Sequence, residues 1–378
     1  MRRLHAPATK LPAMAASSDP SSDDDAPCRG HAARAGLLYG SDAGPGISRV
    51  RRGNGFSYRL PDGSRVEDRE VLARIRALAI PPAWTGVWIC PHERGHLQAT
   101  GRDARGRKQY RYHPGWQRVR GEVRFTRLAD FGDALPRLRR RLRRDLGRRG
   151  LPRDKVLAIA VSLMMDTLVR VGNDAYARDN GSYGLTTLRD RHLRVLRPGR
   201  ARLRFRGKGG QMQEVLVDDP RLARLVKACQ ELPGQQLFQY RDAGGRVRPL
   251  GSGDVNAYLR RATGADFTAK DIRTWGATLL AFRRLAATPL PEPAAGRQAP
   301  SARALAQVCN EVACEVAAAL GNTPAVCRKA YIDPRVFEAW EAGRLGRAAA
   351  RARGPRQWER AACRFLRRAQ WPAVAGGG

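Results

Sequence analysis

The run DKVLAIAVSLMMDTLVRVGN, residues 154–173, most constrains what this chain can fold into. It is apolar on nearly every side, so a helix formed here has to be surrounded by other elements rather than lie on a surface. The run therefore predicts a large, mainly helical domain built around it. Arg170, close to its end, does not fit a purely packing role.

Segments on both sides of this run supply elements that could surround it. Leucines recur every three or four residues in 133–146, opposite an arginine-rich face, which predicts an amphipathic helix in a basic linker at 126–150. Residues 192–219 alternate around a Pro-Gly turn and a Gly-Lys-Gly-Gly turn, which indicates a small three-stranded antiparallel sheet. Further helical segments complete a mainly α domain at 151–345, and a basic C-terminal tail follows at 346–378.

A different pattern precedes the linker. Residues 36–125 contain short alternating runs separated by turns, with one helix near DREVLARIRAL; the runs include FSYRLPDGSRV, TGVWICP, HLQATG and KQYRYHP. Such runs predict a small, mostly antiparallel β domain. Residues 1–35 are rich in Ser, Asp, Ala and Pro and are predicted to be a disordered leader. The fold class is therefore predicted to be α+β, with the β domain first and the larger α domain second.

The charge balance narrows the class of partner. Lys and Arg total 70 against 35 Asp and Glu, which gives a formal net charge of +35, and nearly all of this excess lies after residue 35. A positive charge spread along the chain in this way predicts binding to a polyanion, and nucleic acid is the natural one.

Other classes of protein are disfavoured. The seven cysteines are scattered, without the paired spacing of a zinc site or a disulfide framework. No uncharged apolar run reaches the roughly 20 residues that span a bilayer, and the N-terminus lacks the apolar core of a secretory signal. We therefore expect a cytoplasmic, nucleoid-associated protein with reduced thiols and no membrane partner.

His92, Glu93 and His96 spell H-E-x-x-H, the pattern of a zinc protease helix. Such a site needs both histidines on one face of a rigid helix. Here Pro91 precedes the motif, Gly95 lies inside it, and strand-like segments flank it. We therefore predict a loop between two strands, with no metal site.

Four residues of the helical domain could carry phosphate chemistry. Arg170 ends the buried run, Lys208 lies in a glycine-rich turn, Arg273 belongs to KDIRTWG and Tyr331 to CRKAYIDP. Cations and a nucleophilic hydroxyl suit a metal-free phosphoryl transfer through a covalent intermediate. The stretches GRDARGRK and GKGGQ lack the Gly-Lys-Ser/Thr ending of an ATP-binding loop, and no closely spaced carboxylates indicate a two-metal nuclease.

Six motifs occur in order along residues 37–340: PPAWTGVWI, GRDARGRKQYRYH, LVRVGNDAYARDNGSYGLTTLRDRHL, FRGKGGQ, KDIRTWGA and LGNTPAVCRKAYIDP. Together they resemble the motifs of the small, poxvirus-like type IB DNA topoisomerases of bacteria. The resemblance implies that the β domain and a recombinase-like catalytic domain clamp double-stranded DNA between them. It also implies a monomer that requires no cofactor.

The resemblance implies a role for each matched residue of the catalytic domain. Tyr331 would be the nucleophile and Lys208 the general acid. Arg170 and Arg273 would hold the phosphate, and Asn322 stands where members of the family have His or Asn. The implied DNA contacts are Lys108, Gln109, Tyr110, Tyr112 and Tyr176.

These roles agree with general chemistry. A phenol ionises in water only near a pH of about 10, so guanidinium groups are needed to favour the phenolate and the charged phosphorane. A 3′-phosphotyrosyl bond conserves the energy of the phosphodiester, so relaxation of supercoils needs neither ATP nor metal. Asn322 can donate a neutral hydrogen bond but cannot shuttle a proton.

Two alternatives remain open at this point. A tyrosine recombinase or integrase uses a similar Arg, Lys, Arg, Tyr set, but usually carries a helical domain where residues 36–125 here indicate strands. A non-catalytic nucleic-acid binder would show tight, salt-sensitive binding that does not depend on the hydroxyl of Tyr331.

Overall fold

The computed structural model of the chain describes residues 26–296 and 298–369. The chain forms two compact units, which divide between Arg124 and Phe125. We call them the N-terminal unit and the C-terminal unit. The division suggested by the sequence, at residues 36, 126, 151 and 346, is finer than this and stays a prediction.

The N-terminal unit is built on one antiparallel sheet. Its elements are α1 (Ala26–Arg34), β1 (Ile47–Arg52), β2 (Gly55–Arg59), α2 (Arg69–Ala77), β3 (Thr85–Ile89), β4 (Leu97–Arg102) and β5 (Lys108–Tyr112). The five strands pair in the order β2-β1-β3-β4-β5, which leaves β5 at an edge. The predicted β-rich N-terminal domain is confirmed.

One face of this sheet packs against α2. Ile47, Ile89 and Ala99 are fully buried, and Ile75 of α2 belongs to the same cluster. Asp68 caps α2, because its carboxylate accepts hydrogen bonds from the first backbone N–H groups of the helix. Packing of this face against α2 stabilises the sheet to which the edge strand β5 belongs.

The Pro-Asp-Gly turn forms a short hairpin, and β2 has a second, longer pairing. The sequence FSYRLPDGSRV predicts two strands around that turn; across it Leu60 N donates to Ser64 O and Val66 N to Tyr58 O, at 2.8 and 2.9 Å, while β2 pairs along its length with β1. The segment after that turn pairs with β2 at the bridge between Arg59 and Arg65. Pro61 has no N–H for a longer ladder, whereas Gly53 adopts the positive φ of 52° that the tight turn between β1 and β2 requires.

The H-E-x-x-H residues lie in the connection between β3 and β4, as the sequence predicts, and not in a helix. The side-chain amide of Gln98 holds this connection by donating to the backbone oxygens of Glu93 and Gly95, at 2.8 and 2.7 Å. His96 is 5% exposed and stacks on the ring of Tyr39. Over residues 26–296 and 298–369, no group of three or more His, Cys, Asp or Glu could hold a metal ion.

The C-terminal unit is mainly helical. Its elements, of which the first begins in the N-terminal unit, are α3 (Pro114–Leu146), α4 (Arg153–Thr167), α5 (Asp174–Asn180), β6 (Leu193–Arg197), β7 (Arg200–Arg206), β8 (Met212–Val217), α6 (Pro220–Gln230), β9 (Gln239–Arg241), β10 (Val247–Pro249), α7 (Ser252–Thr263), α8 (Ala269–Ala287), α9 (Ala302–Leu320), α10 (Pro324–Ala330), α11 (Pro334–Glu341), α12 (Leu345–Ala349) and α13 (Pro355–Arg368). Strands β6, β7 and β8 form the predicted three-stranded antiparallel sheet. The α+β fold class is confirmed.

Helix α4 forms the centre of the C-terminal unit, as its apolar run predicts. Most of its residues between Val156 and Met164 are buried. It contacts α6, α7, α8, β8 and β9. The helix ends at Leu168, whose φ of 56° is left-handed. Because α4 is packed on all sides, the residues that leave its end start from a fixed position.

The arginine-rich C-terminal segment, predicted to be a basic tail, contributes α13 to the C-terminal unit. Ala361, Ala362 and Leu366 of α13 are buried, and Phe365 lies 5.5 Å from the ring of Phe282 on α8. The arginines of the helix are on its exposed face. Burial of one apolar face explains why so basic a segment folds.

The ends of the chain lie largely outside the described residues. These include residues 1–25 of the predicted disordered leader and residues 370–378. The last part of the predicted leader forms α1, and Ala32 there packs with Leu37 and Trp116. This contact gives the helix an apolar support that the composition of the leader does not reveal.

No single described helix is long and apolar enough to cross a membrane. Helices α9 and α10 pass the same test only as a pair, by length and composition, and they are bent by 94°.

Candidate active site

The segment after α4 carries Arg170 and is held by backbone hydrogen bonds. The backbone oxygens of Arg170 and Val171 accept hydrogen bonds from Leu185 N and Thr186 N, both at 2.8 Å. These donors belong to a short 3-10 turn whose residues are buried. Hydrogen bonds within the protein therefore hold the backbone of this segment without any ligand.

The side chain of Arg170 is directed at the loop that follows α9. Its Nη2 donates to the backbone oxygen of Gly321 at 2.9 Å and to the side-chain oxygen of Asn322. Burial lowers the pKa of Arg170, while the nearby Tyr331 acts in the opposite direction. The guanidinium is thus oriented by neutral acceptors and carries an uncompensated positive charge.

Arg273 projects from α8 and is only 4% exposed. Its two terminal nitrogens donate to the backbone oxygens of Leu168 and Leu320, the second at 3.0 Å. Burial and the positive charge of Arg170 lower the pKa of Arg273 to about 10. Its Nε is buried and has no hydrogen-bond partner among the described residues.

Asn322 sits at the end of α9, where the chain turns sharply. Gly321 closes the helix with a φ of 60°, and Asn322 N donates to Ala317 O at 3.0 Å. A side chain at Gly321 would be strained by this φ and would also meet the amide of Gln213, with its Cβ 2.7 Å from Gln213 Cδ. The Nδ2 atom of Asn322 is buried without a hydrogen-bond partner in the part of the chain that the structure describes.

Tyr331 caps α10 at its C-terminus. The guanidinium carbon of Arg273 lies 5.3 Å from the centre of its ring. Thr278 of α8 fixes the backbone on both sides of Ile332, because its hydroxyl donates to Tyr331 O at 3.0 Å and accepts from Asp333 N at 3.1 Å. The half-buried tyrosine is therefore held by the same helix that carries Arg273.

Lys208 lies at the tip of the β7–β8 hairpin, as the sequence predicts. Gly209 and Gly210 adopt φ angles of 75° and 79°, and Gly207 N donates to Gln211 O at 2.8 Å to close the turn. The Lys208 side chain is exposed. Hydrogen bonds and ring contacts bring Arg170, Arg273, Asn322 and Tyr331 together. No such contact joins the Lys208 side chain to them among the described residues, but Gly207, the residue before it, lies against Gln213, which also lies against Gly321.

Sequence reasoning missed two residues that shape this site. Thr278 and Gln213 make their contacts with segments far away in the chain. Thr and Gln are common at buried and half-buried positions without any role, and no local pattern around these residues differs from ordinary helix or strand sequence. No signal in the sequence could have found them.

The predicted DNA-contacting residues of the N-terminal unit lie on the edge strand β5. Tyr110 is 47% exposed, and its ring stacks on that of Tyr112 at 5.9 Å, which confirms that the two lie on one face. Lys108 forms an ion pair with Asp42 at 2.6 Å, and Gln109 donates to Asp103 at 2.9 Å. DNA contact by these four residues stays a prediction.

Tyr176, the remaining predicted DNA contact, belongs to α5, but its side chain lies outside what the structure describes.

Known protein families match segments of both units. Residues 114–342 match the catalytic core of eukaryotic DNA topoisomerase I, and residues 55–103 match the N-terminal domain of bacterial DNA topoisomerase IB. DNA topoisomerase 1B of Acanthamoeba polyphaga mimivirus is 34% identical over 244 residues, which cover 64% of this chain and 72% of that protein.

A β-rich unit followed by a helical catalytic core of this kind defines a DNA topoisomerase, an isomerase. The chain belongs to the type IB family and carries the bacterial form of its N-terminal domain.

Proposed function

We propose that this protein relaxes supercoiled double-stranded DNA by reversible transesterification at Tyr331. The single observation that carries the proposal is the pair of buried donors, Arg273 Nε and Asn322 Nδ2, neither of which has a partner in the described protein. Buried donors are normally satisfied. A phosphodiester beside Tyr331 would supply the missing acceptors through its non-bridging oxygens.

In the proposed cleavage step Tyr331 gives up its phenolic proton to solvent, and its oxygen attacks the phosphorus of one strand. The new bond joins Tyr331 Oη to the 3′-phosphate, and the bond from phosphorus to the 5′-oxygen breaks. Lys208 gives a proton to the departing 5′-oxygen, so a free 5′-hydroxyl is released. The reverse reaction takes that proton back and restores the phosphodiester, after the free strand has rotated.

The charges of the site support this chemistry. Arg170 and Arg273 are oriented mainly by backbone oxygens, which are neutral, so their positive charges are left for an anionic ligand. The lowered pKa of Arg273, about 10, reflects the cost of burying it beside Arg170. The developing negative charge of a phosphorane would relieve this cost, so the interaction is stronger in the transition state than in the free protein.

The proposal needs neither ATP nor a metal ion, since the phosphotyrosyl bond keeps the energy of the bond that was broken. Every proposed catalytic side chain comes from one chain, which fits a monomer. The net charge of +35 fits tight binding to DNA, and exposed Tyr110 on β5 offers a contact to base edges. Cytoplasmic chromosomal DNA is the proposed substrate.

The test is relaxation of a negatively supercoiled plasmid in EDTA without ATP, followed by trapping of a covalent adduct at the 3′ side of the break. Tyr331→Phe should bind DNA like the parent protein and show neither relaxation nor adduct. Tyr240→Phe alters a half-buried tyrosine of the same unit and is the matched control. It should both relax the plasmid and form the covalent adduct. Relaxation by Tyr331→Phe would show that the nucleophile is another residue.

A further inference from the structure

Gln213 lies on β8, opposite Phe205 of β7, close to the tip of the hairpin that carries Lys208. Its side chain is half-buried. It covers Gly207, where an added Cβ would stand 2.7 Å from Gln213 Cγ, and Gly321, where an added Cβ would stand 2.7 Å from Gln213 Cδ. One side chain therefore touches the residue before Lys208 and the residue before Asn322.

The two glycines make this double contact possible. Any side chain at Gly207 or Gly321 would occupy the space that Gln213 fills. Gly321 also has a φ of 60°, which ties the left-handed end of α9 to the same spot. The hairpin and the loop that carries Asn322 thus approach each other through the side chain of Gln213.

The end of β7 next to the tip has a separate attachment. Tyr183 N donates to Arg206 O at 2.7 Å, and Leu185 two residues later donates to Arg170 O. Beyond Arg206 the chain passes through Gly207, Gly209 and Gly210, and the last two have positive φ angles. Glycines give the tip conformational freedom, so the attachment at Arg206 does not by itself fix the position of Lys208.

We infer that Gln213 is a positioning residue, which sets the distance from Lys208 to the leaving oxygen by seating the hairpin against the Asn322 loop. The inference rests on the proposed function, in which Lys208 is the general acid. Gln213 acts through Lys208 and does not itself touch the phosphate.

This role affects one chemical step. A 5′-oxygen needs a proton to leave, whereas a sulfur in the same bridging position leaves as a stable thiolate without one. A change that only displaces Lys208 therefore slows cleavage of the oxygen substrate and spares the sulfur substrate. A change that damages the fold or the phosphate clamp slows both.

The experiment is single-turnover cleavage of a short DNA duplex by the full-length protein, with either oxygen or sulfur at the 5′-bridging position of the scissile phosphate. The variants are Gln213→Ala, Lys208→Ala and Gln211→Ala. Gln211 is the matched control, because it is an exposed glutamine on the same hairpin that takes part in the turn through its backbone oxygen.

A general acid typically contributes 10² to 10⁴ in rate, so we expect Lys208→Ala to lose about that much on oxygen and to be restored by sulfur. Gln213→Ala should lose at least roughly tenfold on oxygen, as a partial loss of the same effect, and cleave the sulfur substrate at the parent rate. Gln211→Ala should behave like the parent on both. The sulfur substrate also reports that each variant is folded and binds DNA.

Two results would overturn the inference and are distinguishable from each other. If sulfur restores Lys208→Ala but Gln213→Ala is slow on both substrates, or fast on both, then Gln213 does not position the acid. If sulfur does not restore Lys208→Ala, the general acid in the proposed function is wrong, and the role of Gln213 falls with it.

Discussion

The guanidinium of Arg170 donates a hydrogen bond to the side-chain oxygen of Asn322, although the two residues are 152 positions apart in the chain. This bond decides which end of the amide faces Arg170. The other end, Nδ2, is left as a buried donor without a partner in the described residues. A cation and a neutral donor are thereby fixed side by side.

Asn322→Asp should impair cleavage more than Asn322→Ala does. Alanine only removes one donor to a non-bridging oxygen, which typically costs about 10² to 10³ in rate. Aspartate removes the donor and also adds a negative charge that pairs with Arg170 and repels the phosphate. Single-turnover cleavage at saturating protein measures both variants, and equal rates for the two would contradict the charge argument.

Thr278→Val should slow cleavage while DNA binding is retained. The change removes the hydroxyl that bonds Tyr331 O and Asp333 N, and each buried polar group left unpaired costs about 1–3 kcal/mol. The backbone that carries the nucleophile is then less well fixed. Cleavage rates and binding affinities, measured separately, distinguish this from a loss of DNA contact.

Thr274→Val is the matched control for that experiment. Thr274 is equally buried on the same helix, but its hydroxyl donates to Lys270 O within α8. We expect a small loss of stability and a cleavage rate close to that of the parent protein. Equal slowing by the two valine variants would assign the effect to α8 as a whole.

Arg335→Ala should strongly destabilise the C-terminal unit. Arg335 and Asp333 form an ion pair at 2.6 Å, at 5% and 0% side-chain exposure, and Arg335 also donates to Leu366 O and Ala369 O at the end of α13. Removing one partner of a buried pair typically costs about 3–5 kcal/mol, because the other charge stays buried. The free energy of unfolding in denaturant measures the loss.

An exposed ion pair gives the comparison. Arg200 and Asp218 are 2.5 Å apart, but their side chains are 36% and 63% exposed. Arg200→Ala should change the free energy of unfolding by about 1 kcal/mol or less. Similar losses for Arg200→Ala and Arg335→Ala would mean that burial does not set the strength of the pair between Asp333 and Arg335.

The C-terminal unit should lose stability as the pH falls from about 6.5 to about 4. His192 is 9% exposed and its Nδ1 accepts a hydrogen bond from Arg189 N; burial, with the charges of Arg191 and Arg189, lowers its pKa to about 4. In this range the unfolded chain binds a proton that the folded unit does not, so stability rises with pH. Once the pH is below both pKa values, the free energy of unfolding is lower by about 3 kcal/mol than at neutral pH.

Titration of the His192 imidazole by NMR gives the pKa directly, and a value near 6.5 would contradict the prediction. The stability of His192→Gln, measured at pH 7 and pH 5, should fall less with pH than that of the parent protein, because glutamine does not titrate. An equal fall would assign the pH dependence to other groups.

The amino-acid sequence is enough to predict the main elements and the residue types of the candidate site. The apolar run of α4 predicts a buried helix, and alternation in KQYRY predicts the strand that holds Tyr110 and Tyr112 on one face. Such patterns are local, because a helix or a strand repeats its exposure every few residues. The motifs around Arg273 and Tyr331 likewise stand in short runs that can be matched without a structure.

How these residues meet depends on contacts between distant segments. The bond from Arg273 to Leu320 O, the hydroxyl of Thr278 under Tyr331, and the position of Gln213 between two glycines all join segments distant in the chain. The full-length pairing of β2 with β1 likewise could not be predicted from either strand alone. These contacts depend on how packed elements are oriented toward one another, which no spacing within a single segment records.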